Sequence, residues 1–227
     1  MAEEATEHDR TRRQLRTARM EAFSDGIFTI AGTLLVIEIA VPPGSKNLWH
    51  AVVEQWPSYL GYLVSFATIG AIWLAHSVIT EYLDHASLWL MRLNLILMLA
   101  VAFLPFPTKL LAEYVREGDS ERVATTLYGL SLLMTSALLY LFWRYAIRAG
   151  LVRDDADESD VQVLTRRLTP GLIGYGVLIV LGLFVPIAAV VGYLAIALYY
   201  LVPLGRARRQ RRIRQARSRH GDQNADG

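Results

Sequence analysis

The 227-residue sequence contains no cysteine. It therefore offers no disulfide framework, no zinc–thiolate site and no thiol nucleophile. Charge is also scarce, because Asp, Glu, Lys and Arg make up 19% of the residues, whereas a soluble domain carries about 25%. The apolar stretches hold no serine–histidine–acid set, no H-E-x-x-H motif and no phosphate-binding loop. These absences predict that the chain is not an enzyme, and that it binds no cofactor or resident metal.

Hydrophobic residues, by contrast, make up 53% of the chain, and its mean hydropathy is +0.30. The charged residues gather in the first 25 positions, in 144–167 and after 205, which is typical of a multi-span membrane protein. A helix crosses a hydrocarbon core with about 20 apolar residues. We therefore predict an all-α integral membrane protein. Its six predicted transmembrane helices are 22–41, 57–79, 86–108, 123–147, 168–185 and 187–204.

The last two of these segments are separated only by the region around Pro186. Together they are too long for a single crossing at about 1.5 Å per residue, so a tight helical hairpin is favoured over one kinked helix. The first segment ends at the breaker cluster Pro42–Pro43–Gly44–Ser45. The sequence that opens the first segment does not recur, which predicts one six-helix unit rather than a duplication.

The distribution of basic residues predicts the topology. Of the 23 Lys and Arg residues, 19 lie in the N-terminal arm, the 80–92 and 144–167 loops and the tail, whereas the loops 42–56 and 109–122 hold four. By the positive-inside rule, this bias places both termini in the cytoplasm of a multi-pass cell-membrane protein. The predicted parts are a basic cytoplasmic arm (1–21), a six-helix membrane domain (22–204) and a basic cytoplasmic tail that is expected to be disordered (205–227).

The arginine-rich tail has two interpretations. A basic run can bind nucleic acid, but this one begins directly after a membrane span, where it orients the chain and contacts anionic lipid. We favour the second interpretation, with anionic headgroups at the arm and tail and no nucleic-acid partner. The acidic stretch 154–160 is expected to be a solvated loop.

Polar residues stand at the start of the first span. Ser24 and Asp25 could cap the helix, with Arg19 reaching the headgroups. His76 and Asn94 lie inside later spans, where a polar group is costly and needs a partner. A satisfied structural histidine is the favoured interpretation of His76 alone. A buried network joining the first three spans would instead make Arg19 and Asp25 anchors of the first helix.

One face of the first span carries small and hydroxyl side chains among aliphatic ones. At about 100° per residue, Glu38 borders this face, and Leu35 lies about 140° from Ile30, where it is expected to face lipid. The face suits either helix–helix packing or the lining of a pore, and periodicity does not choose between them. Its members are Gly26, Ile30, Thr33, Leu34, Ile37 and Val41.

Several motifs resemble those of a known family. Arg19-x-x-x-Phe23-Ser24-Asp25 at the start of the first span is similar to the R-x-x-x-F-S-D signature of the prokaryotic relatives of a lysosomal potassium channel, transmembrane protein 175. The similarity covers about the first half of the chain. It continues through Trp73-x-x-His76, Asn94-Leu95 and Pro105-Phe106-x-Thr108.

The resemblance implies a homotetramer in which four copies of the first helix surround a pore that conducts potassium. It places the hydrophobic constriction at Ile30, further apolar pore positions at Leu34 and Ile37, and a selectivity threonine at Thr33. Glu38 is expected at the pore mouth. Like the family, the chain lacks the T-V-G-Y-G filter, which implies moderate selectivity for potassium over sodium. The expected structural network consists of Arg19, Phe23, Ser24, Asp25, Trp73, His76 and Asn94.

Two other functions remain open at the sequence level. A proton-coupled transporter or proton channel could use His76 and Asp25 as a relay. A transporter, however, more often shows inverted repeats and broken helices, of which only Pro186 gives a hint. An oligomeric scaffold without ion flux is the third possibility.

Overall fold

The computed structural model describes residues 2–37, 39, 47–114 and 118–202, with the backbone alone for 2–14 and 119. These residues form helices joined by short connections, and their only β pairing is an isolated bridge between Leu83 and Val152. The all-α prediction is confirmed. The helices are α1 (Ala2–Ile37), α2 (Leu48–Glu54), α3 (Trp56–Glu81), α4 (Leu88–Phe103), α5 (Pro105–Tyr114), α6 (Asp119–Arg148), α7 (Glu158–Gly182) and α8 (Pro186–Leu201).

Most of the predicted spans correspond to helices of membrane-crossing length. α8 is apolar but has only 16 residues, about 24 Å at 1.5 Å per residue, so it is a shorter sixth segment. Within the described part of the chain, five helical stretches are long and apolar enough to cross a membrane: Leu15–Ile37, Trp56–Glu81, Leu88–Tyr114, Ser120–Arg148 and Glu158–Gly182.

Two helices start or end differently from the prediction. α1 begins at Ala2 rather than at 22, so the residues of the predicted arm from Ala2 onward are helical and continuous with the first span. α7 begins at Glu158 rather than at 168, and the Asp157 side chain caps it by accepting a hydrogen bond from the Ser159 amide at 2.8 Å. The acidic stretch 154–160 is therefore partly helical, which corrects the expectation of a loop.

The third span is interrupted near its end. α4 stops at Phe103, and α5 starts at Pro105 without a connecting loop. Pro105 has no amide hydrogen to donate to the preceding turn, and the Leu104 amide bonds the Val101 carbonyl at 3.1 Å, a three-residue spacing that tightens the last turn of α4. The sequence prediction of one span over 86–108 missed this break.

Helix α2 was not predicted. Its start is capped by Asn47, whose side chain accepts a hydrogen bond from the His50 amide at 3.2 Å. The signal was available in the sequence, since asparagine is a strong N-cap residue. The sequence predicts a loop over 42–56, because a seven-residue helix is too short to show periodicity.

The predicted hairpin at Pro186 is present. α7 ends at Gly182, α8 starts at Pro186, and the two helices pack against each other. A Cβ atom added at Gly182 would lie 3.3 Å from the Cβ of Ala189, so glycine permits the close approach of the two helices at the hairpin.

Two loops lie side by side at one end of the bundle. The Asp84 amide bonds the Leu151 carbonyl at 2.9 Å, and the Arg153 amide bonds the Tyr82 carbonyl at 3.0 Å. Gly150, at φ +64°, ends α6 in the left-handed region that lets the chain turn toward this pairing. The Ala86 amide also donates to the Thr17 hydroxyl of α1 at 2.9 Å. The start of the first span and both basic-side loops thus share one end, as the predicted alternation of spans requires.

The packing separates α1 from the C-terminal hairpin. α1 contacts α3, α4 and α5, whereas α7 and α8 contact α3, α6 and each other. α3 therefore lies between the two groups. The largest fully buried side chains of the interior include Trp143, Tyr128, Tyr193 and Phe142.

A labelling experiment tests the topology. In intact cells, Ser120→Cys should react with an impermeant thiol reagent from outside, whereas Ser159→Cys should react only after the membrane is opened. Both serines are exposed, and the native chain has no cysteine to give background. Labelling of Ser159→Cys in intact cells would contradict the predicted orientation.

Candidate pore helix and its anchoring network

Helix α1 buries one side in the subunit and exposes the other. Ile30, Leu34 and Ile37 are 55%, 42% and 70% exposed, and Gly26 and Thr33 lie on the same exposed arc. This arc covers about half of the helix circumference at 100° per residue. The face that the sequence singled out is therefore the face that the isolated subunit leaves uncovered. Glu38 and Val41 lie outside the described residues.

The opposite side of α1 corrects one expectation. Leu35 is only 1% exposed and packs in the core with Phe28 and Ala31. It does not face lipid, because α1 contacts α3, α4 and α5 on this side. Gly32 is buried as well, and a Cβ atom there would lie 3.6 Å from the Phe66 ring of α3.

The Thr33 hydroxyl has its hydrogen engaged. It donates to the Ile30 carbonyl of its own helix at 2.9 Å. The oxygen lone pairs that remain are acceptors, so Thr33 presents acceptor character on the exposed arc.

A buried chain of hydrogen bonds connects α1, α3 and α4. The His76 imidazole Nε2 lies 2.8 Å from the Asn94 Oδ1, and the Asn94 Nδ2 donates to the Ser24 hydroxyl at 2.9 Å. The Ser24 hydroxyl donates in turn to the Met20 carbonyl at 2.8 Å. An amide oxygen can only accept, so the His76 proton belongs on Nε2. The three side chains are 0–2% exposed.

Two aromatic rings enclose the imidazole of this chain. The His76 ring stacks on Phe142 of α6 at a centroid distance of 5.4 Å, and Phe28 of α1 approaches it at 5.7 Å. The polar groups are therefore shielded from lipid and water. In this setting a lost partner leaves a buried polar group that nothing else can satisfy.

The charged members of the sequence signature lie elsewhere. Asp25 accepts a hydrogen bond from the Trp73 indole at 2.9 Å, and both side chains are exposed at the subunit surface. Arg19 is exposed too, and the described residues give it no hydrogen bond or ion pair. Phe23 is 48% exposed. The expected network thus divides into a buried part and an exposed part, and Arg19 does not join the buried part within one subunit. The buried part is Ser24, His76 and Asn94, and the exposed part is Arg19, Phe23, Asp25 and Trp73.

A second buried cluster was missed in the sequence. The Thr108 hydroxyl donates to the Leu104 carbonyl at 2.8 Å, so it accepts from Ser65 at 2.7 Å, and Ser65 in turn accepts from Tyr128 at 2.8 Å. This cluster ties α3, α5 and α6 together. Thr108 had been noted in the family motif, but nothing in the spacing of Ser65 and Tyr128 linked them to it.

No three His, Asp or Glu side chains come together in the part of the chain that the structure describes. The site offers hydrogen-bond acceptors and apolar surface on α1. Such groups suit a transiently bound ion that keeps much of its water.

Loss of the central amide tests the buried chain. Asn94→Leu should leave the buried His76 imidazole without its partner, at about 1–3 kcal/mol, while the Ser24 hydroxyl loses the bond it accepts and keeps the one it donates to the Met20 carbonyl. Trp73→Phe removes only the exposed bond to Asp25 and should cost less. The midpoint of thermal unfolding in detergent, followed by size-exclusion chromatography, measures both. Equal midpoints for the two variants would contradict the anchoring role of the chain.

Comparisons with known proteins show the family of the chain. The family model described as "Endosomal/lysosomal potassium channel TMEM175" matches residues 19–105. The chain is 37% identical over 187 residues to a protein of Streptomyces collinus that is named a potassium channel, covering 81% of this chain and 91% of that protein. It is 31% identical over 143 residues to TMEM175 of Gallus gallus, named an endosomal/lysosomal proton channel, and covers 28% of that longer protein.

A solved structure is similar over the same extent. The crystal structure of a lysosomal potassium-selective channel TMEM175 homologue from Chamaesiphon minutus superimposes with a TM-score of 0.74 at 34% identity, covering 81% of this chain and 95% of that one. The resemblance to the transmembrane protein 175 family is thereby confirmed. The chain belongs to the TMEM175 family of multi-pass membrane proteins.

Proposed function

We propose that the chain assembles as a homotetramer that conducts potassium passively through a central pore lined by α1. The observation that carries this proposal is the uncovered arc of α1. Its apolar residues and Thr33 face outward from a helix whose other side is packed against α3, α4 and α5. If four subunits surround one axis, their α1 arcs cover one another. The central path is then lined by rings of aliphatic side chains and by the Thr33 hydroxyl oxygens, which accept hydrogen bonds. The potassium-channel names of the bacterial relatives support the same function.

The apolar rings of this pore would control permeation. Ile30, Leu34 and Ile37 are spaced three and four residues apart, so each ring lies about one helical turn from the next. A narrow aliphatic ring excludes water and raises the barrier for an ion that must shed its hydration shell. We assign the constriction and gate to these residues, with Ile30 the narrowest.

Selectivity in this proposal comes from Thr33. Its hydroxyl hydrogen is held by the Ile30 carbonyl, so its lone pairs can replace some of the water around a passing cation. The chain lacks the T-V-G-Y-G filter, whose carbonyls would replace the hydration shell more fully. We therefore expect potassium to be preferred over sodium only moderately.

The buried chain of Ser24, His76 and Asn94 serves assembly in this account. It fixes the rotation of α1 relative to α3 and α4, which decides which residues face the axis. Asp25, Trp73, Arg19 and Phe23 are exposed on the subunit and are available for contacts between subunits.

The remaining assignments follow from the sequence. We place Glu38 at the pore mouth and both termini in the cytoplasm of the cell membrane, with the basic arm and tail on anionic lipid. The function needs no cofactor, and potassium is the permeant ion rather than a resident metal.

Substitutions in the pore helix test the proposal. Ile30→Ala and Ile30→Asn should widen or wet the constriction, raising conductance and lowering the preference for potassium over sodium. Thr33→Val keeps nearly the same volume but loses the oxygen, so it should change selectivity without impairing assembly. Liposome flux or single-channel recording under opposed potassium and sodium gradients measures both effects.

The matched control for Ile30→Ala is Ile173→Ala, the same change at a residue of α7 that is 67% exposed. α7 is not among the helices that contact α1, so this variant should conduct like the wild type. If Ile30, Thr33 and Ile173 variants behave alike, α1 does not line the path.

Proton conduction is the second candidate, because a relative from Gallus gallus is named a proton channel. A relay through His76 and Asp25 is not favoured by their positions. His76 bonds Asn94 inside the subunit, whereas Asp25 bonds Trp73 at its surface. We expect potassium to be the main permeant and proton flux to be independent of this pair.

Substitutions that remove only the titratable groups separate the two candidates. Asp25→Asn and His76→Gln remove the titratable groups while keeping hydrogen-bonding capacity. With a pH-sensitive dye in liposomes, both variants should retain wild-type proton permeability and wild-type potassium flux. Loss of proton flux in both, with tetramers intact, would favour the relay instead.

A further inference from the structure

A groove opens on the outer surface of the C-terminal hairpin. It has a volume of about 260 Å³ and lies between α7 and α8, with Pro170, Ala195 and Tyr199 exposed along it. Its lining is almost entirely apolar. The lining residues are Pro170, Gly171, Ala195, Ile196, Tyr199 and Tyr200.

A break in the regular bonding of α7 shapes this groove. The Tyr200 hydroxyl accepts a hydrogen bond from the Gly171 amide and donates one to the Arg167 carbonyl, both at 2.8 Å. In an uninterrupted helix, these two backbone groups would bond each other. A Cβ atom at Gly171 would lie 2.6 Å from the Tyr200 hydroxyl, so the missing side chain is a condition for this arrangement. The groove is therefore held by specific bonds between the two helices.

Arg166 and Arg167 lie one helical turn before the groove residues Pro170 and Gly171 of α7, and the two arginines differ in their contacts. Arg167 donates to the carbonyls of Tyr199 and Tyr200 at 3.4 and 3.3 Å, and it lies over the Tyr199 ring. It is thus engaged in closing the end of α8. Arg166 is exposed, and the described residues give it no hydrogen bond or ion pair.

Arg166 places an exposed positive charge next to the groove. It lies four residues before Pro170, so the two share a face of α7 about 6 Å apart along its axis. The predicted topology places the start of α7 on the cytoplasmic side, where anionic lipids concentrate. An apolar groove that leads to an exposed cation matches a lipid that has an acyl chain below a negatively charged headgroup.

The position of the hairpin in the subunit agrees with this. α7 packs on α6, α8 packs on α3 and α6, and α3 lies between the hairpin and α1. With α1 around the central axis, as in the proposed function on which this step rests, the hairpin lies at the periphery and faces the bilayer.

We propose that the α7–α8 groove binds an anionic phospholipid of the cytoplasmic leaflet, with an acyl chain against Pro170 and Ala195 and the phosphate on Arg166. The bound lipid covers the exposed apolar surface of the hairpin and neutralises a cation at the membrane boundary. Its headgroup charge, and not its chain alone, decides which lipid occupies the groove.

Native mass spectrometry of the detergent-purified protein tests this site. The probes are phosphatidylglycerol and phosphatidylcholine with identical acyl chains. Arg166→Gln should weaken phosphatidylglycerol binding about fivefold, the factor that corresponds to about 1 kcal/mol for one basic residue, and should leave phosphatidylcholine unchanged. Ala195→Phe should fill the groove and weaken the binding of both lipids.

Matched controls keep the result specific. Ala188→Phe adds the same ring to an exposed alanine on the same face of α8, outside the groove, and Arg148→Gln removes a cation at the end of α6. Both should bind phosphatidylglycerol like the wild type. The proposal is overturned if Ala195→Phe retains lipid, or if Arg166→Gln lowers the preference for phosphatidylglycerol no more than Arg148→Gln does.

The readout is independent of ion conduction. Potassium flux of the wild type is measured separately in liposomes. If the protein binds phosphatidylglycerol as described but conducts no potassium, the proposed function is wrong and the lipid site is supported. If it conducts potassium but shows no preference for phosphatidylglycerol, the lipid site is wrong and the proposed function is supported.

Discussion

The hydrogen bonds from His76 through Asn94 to Ser24 constrain the rest of the site. Inside an apolar bundle each of these groups must be paired. The donors and acceptors match in one order only: His76 donates to Asn94, Asn94 donates to Ser24, and Ser24 donates to the Met20 carbonyl. Ser24 can reach Asn94 only if α1 is rotated so that Phe28, Ala31 and Leu35 point into the subunit. The same rotation turns Ile30, Thr33 and Ile37 outward. One polar contact thus decides which face of α1 is available to form a pore.

The signature at the start of α1 mixes neutral and charged residues because its members have two roles, packing within the subunit and exposure at the subunit surface. Ser24 is buried and ties α1 to its own subunit, while Arg19, Phe23 and Asp25 lie at the surface. A buried charge would be costly unless it were fully paired, so placing the charges outside the core leaves them available for contacts with water or a neighbouring subunit.

The exposed face of α1 could be predicted from periodicity, because a threonine and a glycine among aliphatic residues stand out at 100° per residue. Leu35 could not be placed, because the same periodicity does not distinguish a lipid-facing side from a side packed on other helices. The cost of polar groups in a membrane indicated that His76 and Asn94 each need a partner, but it did not decide between Asn94, Asp25 and Arg19 as the partner of His76. Ser65 and Tyr128 could not be linked in this way. A hydroxyl group in a membrane helix can bond a carbonyl of its own helix, as Thr68 does here, so its presence does not predict a partner on another helix. Helix α2 depends on its Asn47 cap, and the break at Leu104 depends on Pro105. A hydropathy profile detects neither feature.

The central claim is that α1 lines the ion path, and the cysteine-free chain allows a direct measurement. Leu34→Cys and Leu35→Cys are neighbours on α1, yet the first residue is 42% exposed and the second 1%. A small cationic thiol reagent applied during potassium flux through liposomes should block the Leu34→Cys channel and leave Leu35→Cys unaffected. Modification of Leu34→Cys without any change in flux would contradict the account.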